Sequence, residues 1–256
     1  MQRPTTRPHS QTARGTHSEA AAGASAEDDR RPLKSRSIPF FRGLSGALVR
    51  WGVRPNTISV ASMVFGVMSG VALFVSGSEG AGPWTVRGCM LATAVCIQLR
   101  LICNMLDGMV AVEGKTGSAL GELYNEVPDR ISDAVTIIGA GYAVGGWVTG
   151  GYVAALLAVL TAYVRAVGKA AGGGSEFCGP MAKPHRMALL TVVCLVAAVV
   201  PDWVVPVALI GGGSGAWGLF AAAVAVIAAG SVVTCVRRLW RISRTLGGKG
   251  LAEPAD

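Results

Sequence analysis

Residues 1–38 contain no apolar run, whereas from residue 56 onward long apolar runs alternate with short polar breaks. The runs fall near 57–77, 85–107, 121–144, 151–169, 186–205 and 216–237. Each is long enough to cross a bilayer, since about 20 helical residues span the hydrocarbon core. The pattern predicts an all-α integral membrane protein with six transmembrane helices, occupying 55–240. Just before them, PFFRGLSGALVRWGVRP places Phe40, Phe41, Leu44, Leu48 and Trp51 on roughly one helical face and Arg42 and Arg50 elsewhere. That spacing predicts an amphipathic interfacial helix over 39–54, lying along the membrane surface. Residues 1–38, polar and poor in aromatics, are expected to be a disordered cytoplasmic tail, and 241–256 a second cytoplasmic tail. With no apolar h-region near the start, a signal peptide is not expected.

Composition agrees. Hydrophobic residues make up 51% of the 256 and charged residues only 15%, against about a quarter charged in an ordinary soluble domain. The formal net charge of +8 raises the question of nucleic acid, but its distribution points elsewhere. Seven of the 23 Lys and Arg lie in the dilute polar tail, and most others sit just outside apolar runs, beside lipid head groups. No nucleic-acid partner is expected. The six cysteines include no CxxC pair and read as small reduced hydrophobes, with no disulfide framework. Cys89, Cys96 and Cys103, spaced by sevens, are placed to share a helix face.

Loop charges set the orientation. Segments 78–84, 145–150 and 206–215 lack Lys and Arg, whereas the opposite side carries Lys115, the loop GKAAGGGSEFCGPMAKPHR and the stretch RRLWRISRTLGGKG. Positive residues mark the cytoplasmic side. Both termini are therefore expected inside a multi-pass cytoplasmic-membrane protein. The glycines at 172–174 follow no strand and lack GK[ST], so they read as a flexible turn rather than a P-loop.

Polar residues interrupt the pattern where the second and third runs face each other. Helical spacing stacks Arg100, Asn104, Asp107 and Ala111 on one face, and Asn125, Asp129 and Asp133 on another, with Glu122 and Glu126 beside them. Ionisable groups in a spanning helix are costly and mark a functional site by default. Oxygen ligands on two facing helix ends suit a hard cation such as Mg²⁺, which favours carboxylates plus substrate phosphate. The same residues would equally make a salt-bridged helix cap with Arg100, Lys115 and Arg130.

From Asn104 to Asp129 the chain reads N-x2-D-G-x2-A-V-x8-G-x3-N-x3-D. This resembles the signature of the CDP-alcohol phosphatidyltransferase family, D-x2-D-G-x2-A-R-x8-G-x3-D-x3-D, with every interval matched. VRPNTIS at 53–59, AYVRA at 162–166 and GPMAKPHRMALL at 179–190 are similar to further family segments, so the resemblance covers roughly 39–240. It implies a six-helix membrane enzyme, usually a homodimer. Such an enzyme transfers the phosphatidyl (or similar) group of a CDP-alcohol lipid to the hydroxyl of a polyol or phosphorylated polyol and releases CMP. It uses Mg²⁺ or Mn²⁺. Carried over by resemblance, Asn104, Asp107, Asn125 and Asp129 form the metal shell, and Asp129 is also the base. Gly108, Ala111, Ser118 and Gly121 contact the CDP-alcohol, and Asn56 and Thr57 close its cytidine end. Arg165, Lys183 and Arg186 stand where acceptor-binding residues do.

The departures are Asn104 and Asn125 for Asp, and Val112 for Arg. Asn offers an oxygen without charge. Four carboxylates balance two Mg²⁺, and two balance one. The resemblance therefore implies either a single-metal site or a second ion arriving with the pyrophosphate. Glu113, Glu122, Glu126 and Asp133 are candidates for the missing charge, and Lys115 and Arg130 for the missing Arg. The competing expectation is a catalytically inactive relative that keeps the fold for lipid binding or partner assembly.

Overall fold

The computed structural model describes residues 38–114, 119–199 and 218–250. Seven helices and no strand make up these described residues: α1 Pro39–Arg50, α2 Pro55–Ser76, α3 Pro83–Glu113, α4 Ala119–Tyr142, α5 Val148–Ala170, α6 Lys183–Val199 and α7 Leu219–Gly250. The first three start on proline, whose fixed φ and missing N–H suit a first helical turn. Gly52, at φ +71°, follows α1 and ends it.

Among the described residues, four helices are long and apolar enough to cross a membrane: Pro55–Ser76, Pro83–Glu113, Val148–Ala170 and Leu219–Gly248. Two of the six expected spans fall short for identifiable reasons. The third corresponds to α4, whose first half carries Asn125, Glu126, Asp129, Arg130 and Asp133. The fifth corresponds to α6, which has 17 described residues before the chain passes outside them. Two helices also outrun their expected ends. α3 continues past Asp107 to Glu113, so the DG dipeptide lies inside a helix. α7 continues past residue 237 to Gly250, taking in much of the expected tail.

α2 is the centre of the packing, flanked by α3 and α4; α5 joins α4 to α7, and α6 backs α3. The main apolar core runs from Leu73, Met90 and Ile97 through Ile137 to Leu190, Phe220 and Ile227. α2 and α4 approach closely because both present small residues. A Cβ at Gly139 would lie 2.6 Å from the Gly70 carbonyl oxygen, and one at Gly66 would lie 2.4 Å from the Ser132 Cβ. In lipid such proximity is the main source of helix attraction, because exposed tails offer no hydrophobic gain. A second, smaller cluster joins Ile58, Leu106 and Val110 to Leu44, Leu48 and Val49 of α1. The Ser45 hydroxyl donates to Glu113 Oε2 at 2.8 Å and ties α1 to the end of α3.

The α5–α6 loop is held on α7. Arg238 donates from Nε to the Cys178 carbonyl at 3.0 Å and from a terminal nitrogen to the Thr161 carbonyl at 2.5 Å. The Met181 amide donates to the Thr234 hydroxyl at 3.0 Å. Gly179, at φ +123°, lets the chain turn there against Thr234. These contacts fix where α6 begins, and hence where Lys183 and Arg186 stand.

Candidate active site

α3 presents Arg100, Asn104 and Asp107 one turn apart toward α2 and α4, and serines of α2 meet two of them. The Ser59 hydroxyl donates to Asp107 Oδ2 at 2.8 Å, while Asp107 Oδ1 is buried without a hydrogen-bond partner. The Ser62 hydroxyl donates to Asn104 Oδ1 at 2.5 Å, and Asn104 Nδ2 donates to Asp129 Oδ1 at 2.7 Å. Asn104 thus works as a donor toward Asp129, which an Asp in its place would not do.

Asp129 and Asp133 lie one turn apart on α4 and share a buried set of cations. The fully buried Arg100 donates to Asp129 Oδ1 at 3.0 Å and to Asp133 Oδ1 at 2.6 Å. Arg186, 1% exposed, takes the other Asp133 oxygen at 2.8 Å, with a second bond to the Met181 carbonyl at 2.7 Å. The Lys183 ammonium joins Arg100 and Asn104 on Asp129 Oδ1. Three carboxylates (Asp107, Asp129, Asp133) therefore face three cations (Arg100, Lys183, Arg186). Isolated buried charges would be prohibitive; matched and hydrogen-bonded, they can be kept.

A smaller cluster stands one turn earlier on α4. Glu126 accepts from Arg130 and from Arg165, each at 2.5 Å, and the Arg165 guanidinium also stacks over Phe177, 5.3 Å from the ring centroid.

The donor set suits one divalent ion. Asp107 Oδ1 is an orphaned carboxylate oxygen, and Asp129 retains its Oδ2, with the two residues in electrostatic reach of each other. It does not suit two. The Asn104 oxygen is engaged by Ser62, Asn125 is exposed, and among the described residues no three His, Cys, Asp or Glu side chains converge. Nor do the substitutes supply charge: Glu113 faces Ser45, Glu126 is held by two arginines, and Asp133 by two more.

No protein-family model matches the chain. A phosphatidylinositol phosphate synthase of Mycobacteroides abscessus is 25% identical over 219 residues, covering 83% of this chain and 88% of that protein. That of Mycolicibacterium smegmatis is 24% identical, covering 86% and 90%. Inner membrane protein YnbA of Escherichia coli is 24% identical, covering 64% and 80%. Among solved structures, the Mycobacterium tuberculosis phosphatidylinositol phosphate synthase with CDP-DAG bound superposes with a TM-score of 0.61 at 20% identity, covering 80% of this chain and 94% of that one. Its complex with manganese and citrate gives 0.62 at 19%, covering 84% and 93%. This chain shares the phosphatidylinositol phosphate synthase fold.

On that fold the sequence-predicted residues do not all converge. Asp107, Asn104 and Asp129 come together, with Gly108 and Ala111 half-buried on the next turn of α3. Asn56 and Thr57 open α2, one turn before the Ser59 that meets Asp107. Asn125, one turn before Asp129 on α4, is exposed, and Gly121 is half-buried near the start of α4. Ser118 and Lys115 lie outside the described residues, as do Glu122's side chain and residues 1–37 of the tail expected over 1–38. Arg165 and Lys183 keep partly open side chains, 23% and 19% exposed, whereas Arg186 is enclosed against Asp133. Ser59, Ser62 and Arg238 were not singled out from sequence. The serines do carry a signal, since they continue the polar face opened by Asn56 and Thr57; Arg238 is one arginine among many near a helix end.

Proposed function

We propose that the protein is a membrane transferase of the CDP-alcohol phosphatidyltransferase type. It moves the phosphatidyl (or similar phospho-alcohol) group of a CDP-alcohol onto a polyol or phosphorylated polyol and releases CMP. The bond from acceptor oxygen to phosphorus forms, the bond to CMP breaks, and the acceptor's proton passes to Asp129. The observation that carries this reading is Asp107: a buried carboxylate oxygen with no partner, beside Asp129, at signature spacing. It stands in a fold shared with a synthase solved with CDP-DAG bound.

Asp107 and Asp129 are the residues that would hold Mg²⁺ or Mn²⁺. Bound there, the ion would neutralise charge developing on the CMP leaving group. Ser59 fixes one Asp107 oxygen and leaves the other for the ion. Arg100, Asn104 and Lys183 fix Asp129 Oδ1, so the second oxygen of Asp129 is the one left to take the acceptor's proton. Positioned general bases contribute typically about 10²–10⁴-fold. Gly108, Ala111, Ser118 and Gly121 admit the nucleotide, with Asn56 and Thr57 at its cytidine end. Arg165 and Lys183 meet the acceptor's phosphate, while Arg186, one turn from Lys183, is held by Asp133.

The same reading gives the protein six spans, with both termini and the site cytoplasmic, and assembly as a homodimer. α1 supports an interfacial position: Leu44, Leu48 and Val49 pack inward, while Phe40 and Trp51 are 70% and 77% exposed on a flank open to lipid. Cysteines introduced near residues 80 and 148 are expected to label from outside, and those near 175 and 245 from inside. The deciding experiment is CMP release by purified protein given Mg²⁺ or Mn²⁺, CDP-diacylglycerol and a panel of acceptors beginning with an inositol phosphate. Release that depends on metal, acceptor and Asp107 supports the reading; no release with any acceptor leaves the lipid-binding or assembly role.

A further inference from the structure

Lys183 stands in the first turn of α6 with its side chain 19% exposed and its ammonium on Asp129 Oδ1. Arg100 and Arg186 are already committed to the two oxygens of Asp133. Arg100 divides its guanidinium between Asp129 and Asp133, whereas the Lys183 ion pair is with the signature carboxylate Asp129 alone. Opposite it, Asn104 and Asn125 have removed two negative charges from the signature positions.

The charge balance follows. Three carboxylates and three cations leave the site neutral at rest. One divalent ion raises it by two charges, and the two negative charges of a CDP-alcohol pyrophosphate restore neutrality. A second divalent ion would leave two positive charges uncompensated beside a membrane interior, where Coulomb energies are largest. Arg130 and Arg165 against Glu126 add one more positive charge nearby, which deepens that penalty.

We propose that in this chain the Lys183 ammonium stands in for one of two divalent ions, giving a working site of one metal ion and one fixed ammonium. An ammonium is a compact point charge with three donors, so it can neutralise a carboxylate without requiring the oxygens that Asn104 and Asn125 no longer supply as anions. This inference rests on the transferase reading, and its test separates the two.

The full chain in nanodiscs is titrated with Mn²⁺, with and without CDP-diacylglycerol, by calorimetry and electron paramagnetic resonance, while CMP release is read in parallel. One Mn²⁺ per parent chain in the presence of CDP-diacylglycerol is expected. The Asn104→Asp/Asn125→Asp variant is expected to stay at one while Lys183 is present. Adding Lys183→Gln should admit a second ion with an exchange-coupled spectrum, and adding Lys183→Arg instead should not. Should the triple variant fail to fold, Lys183→Gln alone is expected to tighten Mn²⁺ binding to the substrate-free protein at least about tenfold. Two ions in the parent, two in the doubly restored variant with Lys183 intact, none at all, or unchanged affinity in Lys183→Gln would each overturn the proposal. One ion without CMP release would remove the transferase reading and leave the metal count standing. Release with two ions would do the reverse.

Discussion

Between Asn125 and Asp133, α4 meets its neighbours through charge; between Val135 and Gly141 it meets them through backbone. In the first half, Glu126, Asp129 and Asp133 are each matched to arginines or lysine from α3, α5 or α6. In the second, Gly139 packs on the backbone of Gly70 and Gly141 lies against Gly151. Both arrangements satisfy a helix with no water to turn to, but they leave different residues free. Close backbone packing of this kind presents no charged oxygen to a ligand. The charged half faces a buried carboxylate oxygen without a partner, on Asp107 of the facing helix, and keeps Asp129 Oδ2 beside it. Unpaired oxygens therefore collect where charge, rather than contact, does the holding.

The comparison can be tested by thermal melting of purified protein in detergent. Asp133→Leu is expected to be the most damaging change, because it strands Arg100 and Arg186 in the interior; breaking a buried pair this way costs roughly 3–5 kcal/mol. A melt close to the parent's would mean that the network contributes little. Next comes Gly139→Ala. Its new Cβ would sit 2.6–3.1 Å from atoms of Gly70, and such overpacking costs about 1–3 kcal/mol. Gly88→Ala is the matched control, since nothing lies within 4 Å of its Cβ position; it should gain about 0.5–1 kcal/mol from helix propensity. Equal behaviour of the two glycines would show that the close approach is not a constraint.

Ser69→Ala removes a buried hydroxyl pair with Thr136, 2.7 Å apart. Interhelical hydrogen bonds of this kind average about 0.6 kcal/mol, and Thr136 keeps its bond to the Ser132 carbonyl. The smallest effect on folding is expected at Asp107→Asn, within about 0.5 kcal/mol, because the amide oxygen still accepts from Ser59 and the loss of a buried charge offsets the new unpaired N–H. The same change should abolish metal-dependent CMP release. A large loss of stability there would instead place Asp107 among the structural carboxylates, with Asp133.

Much of this was legible in the chain. The apolar runs located the helices to within a few residues at most ends, and proline marked three of the starts. The spacing from Asn104 to Asp129 pointed to the helix junction where Asn104, Asp107 and Asp129 come together. Asp133 and Arg186 show where such reading stops. Asp133 follows Asp129 at the same helical interval as Asp129 follows Asn125, yet it is the locked residue. Arg186 sits three residues from Lys183 in the first turn of α6, yet one is enclosed and the other reaches Asp129.

By itself, the sequence determined which segments become helices and which faces they hide, because burial of apolar side chains at helical spacing is a local property. Only the tertiary structure decided what each charge does. An arginine and an aspartate far apart in sequence become partners only when packing brings their helices together, and the glycines of α2 and α4 control that approach. The pattern of Asn, Asp and Lys placed the polar residues of the proposed site at one junction. The fold decided that Asn104 donates, that Asp133 is spent on arginines, and that Asp107 keeps an oxygen free.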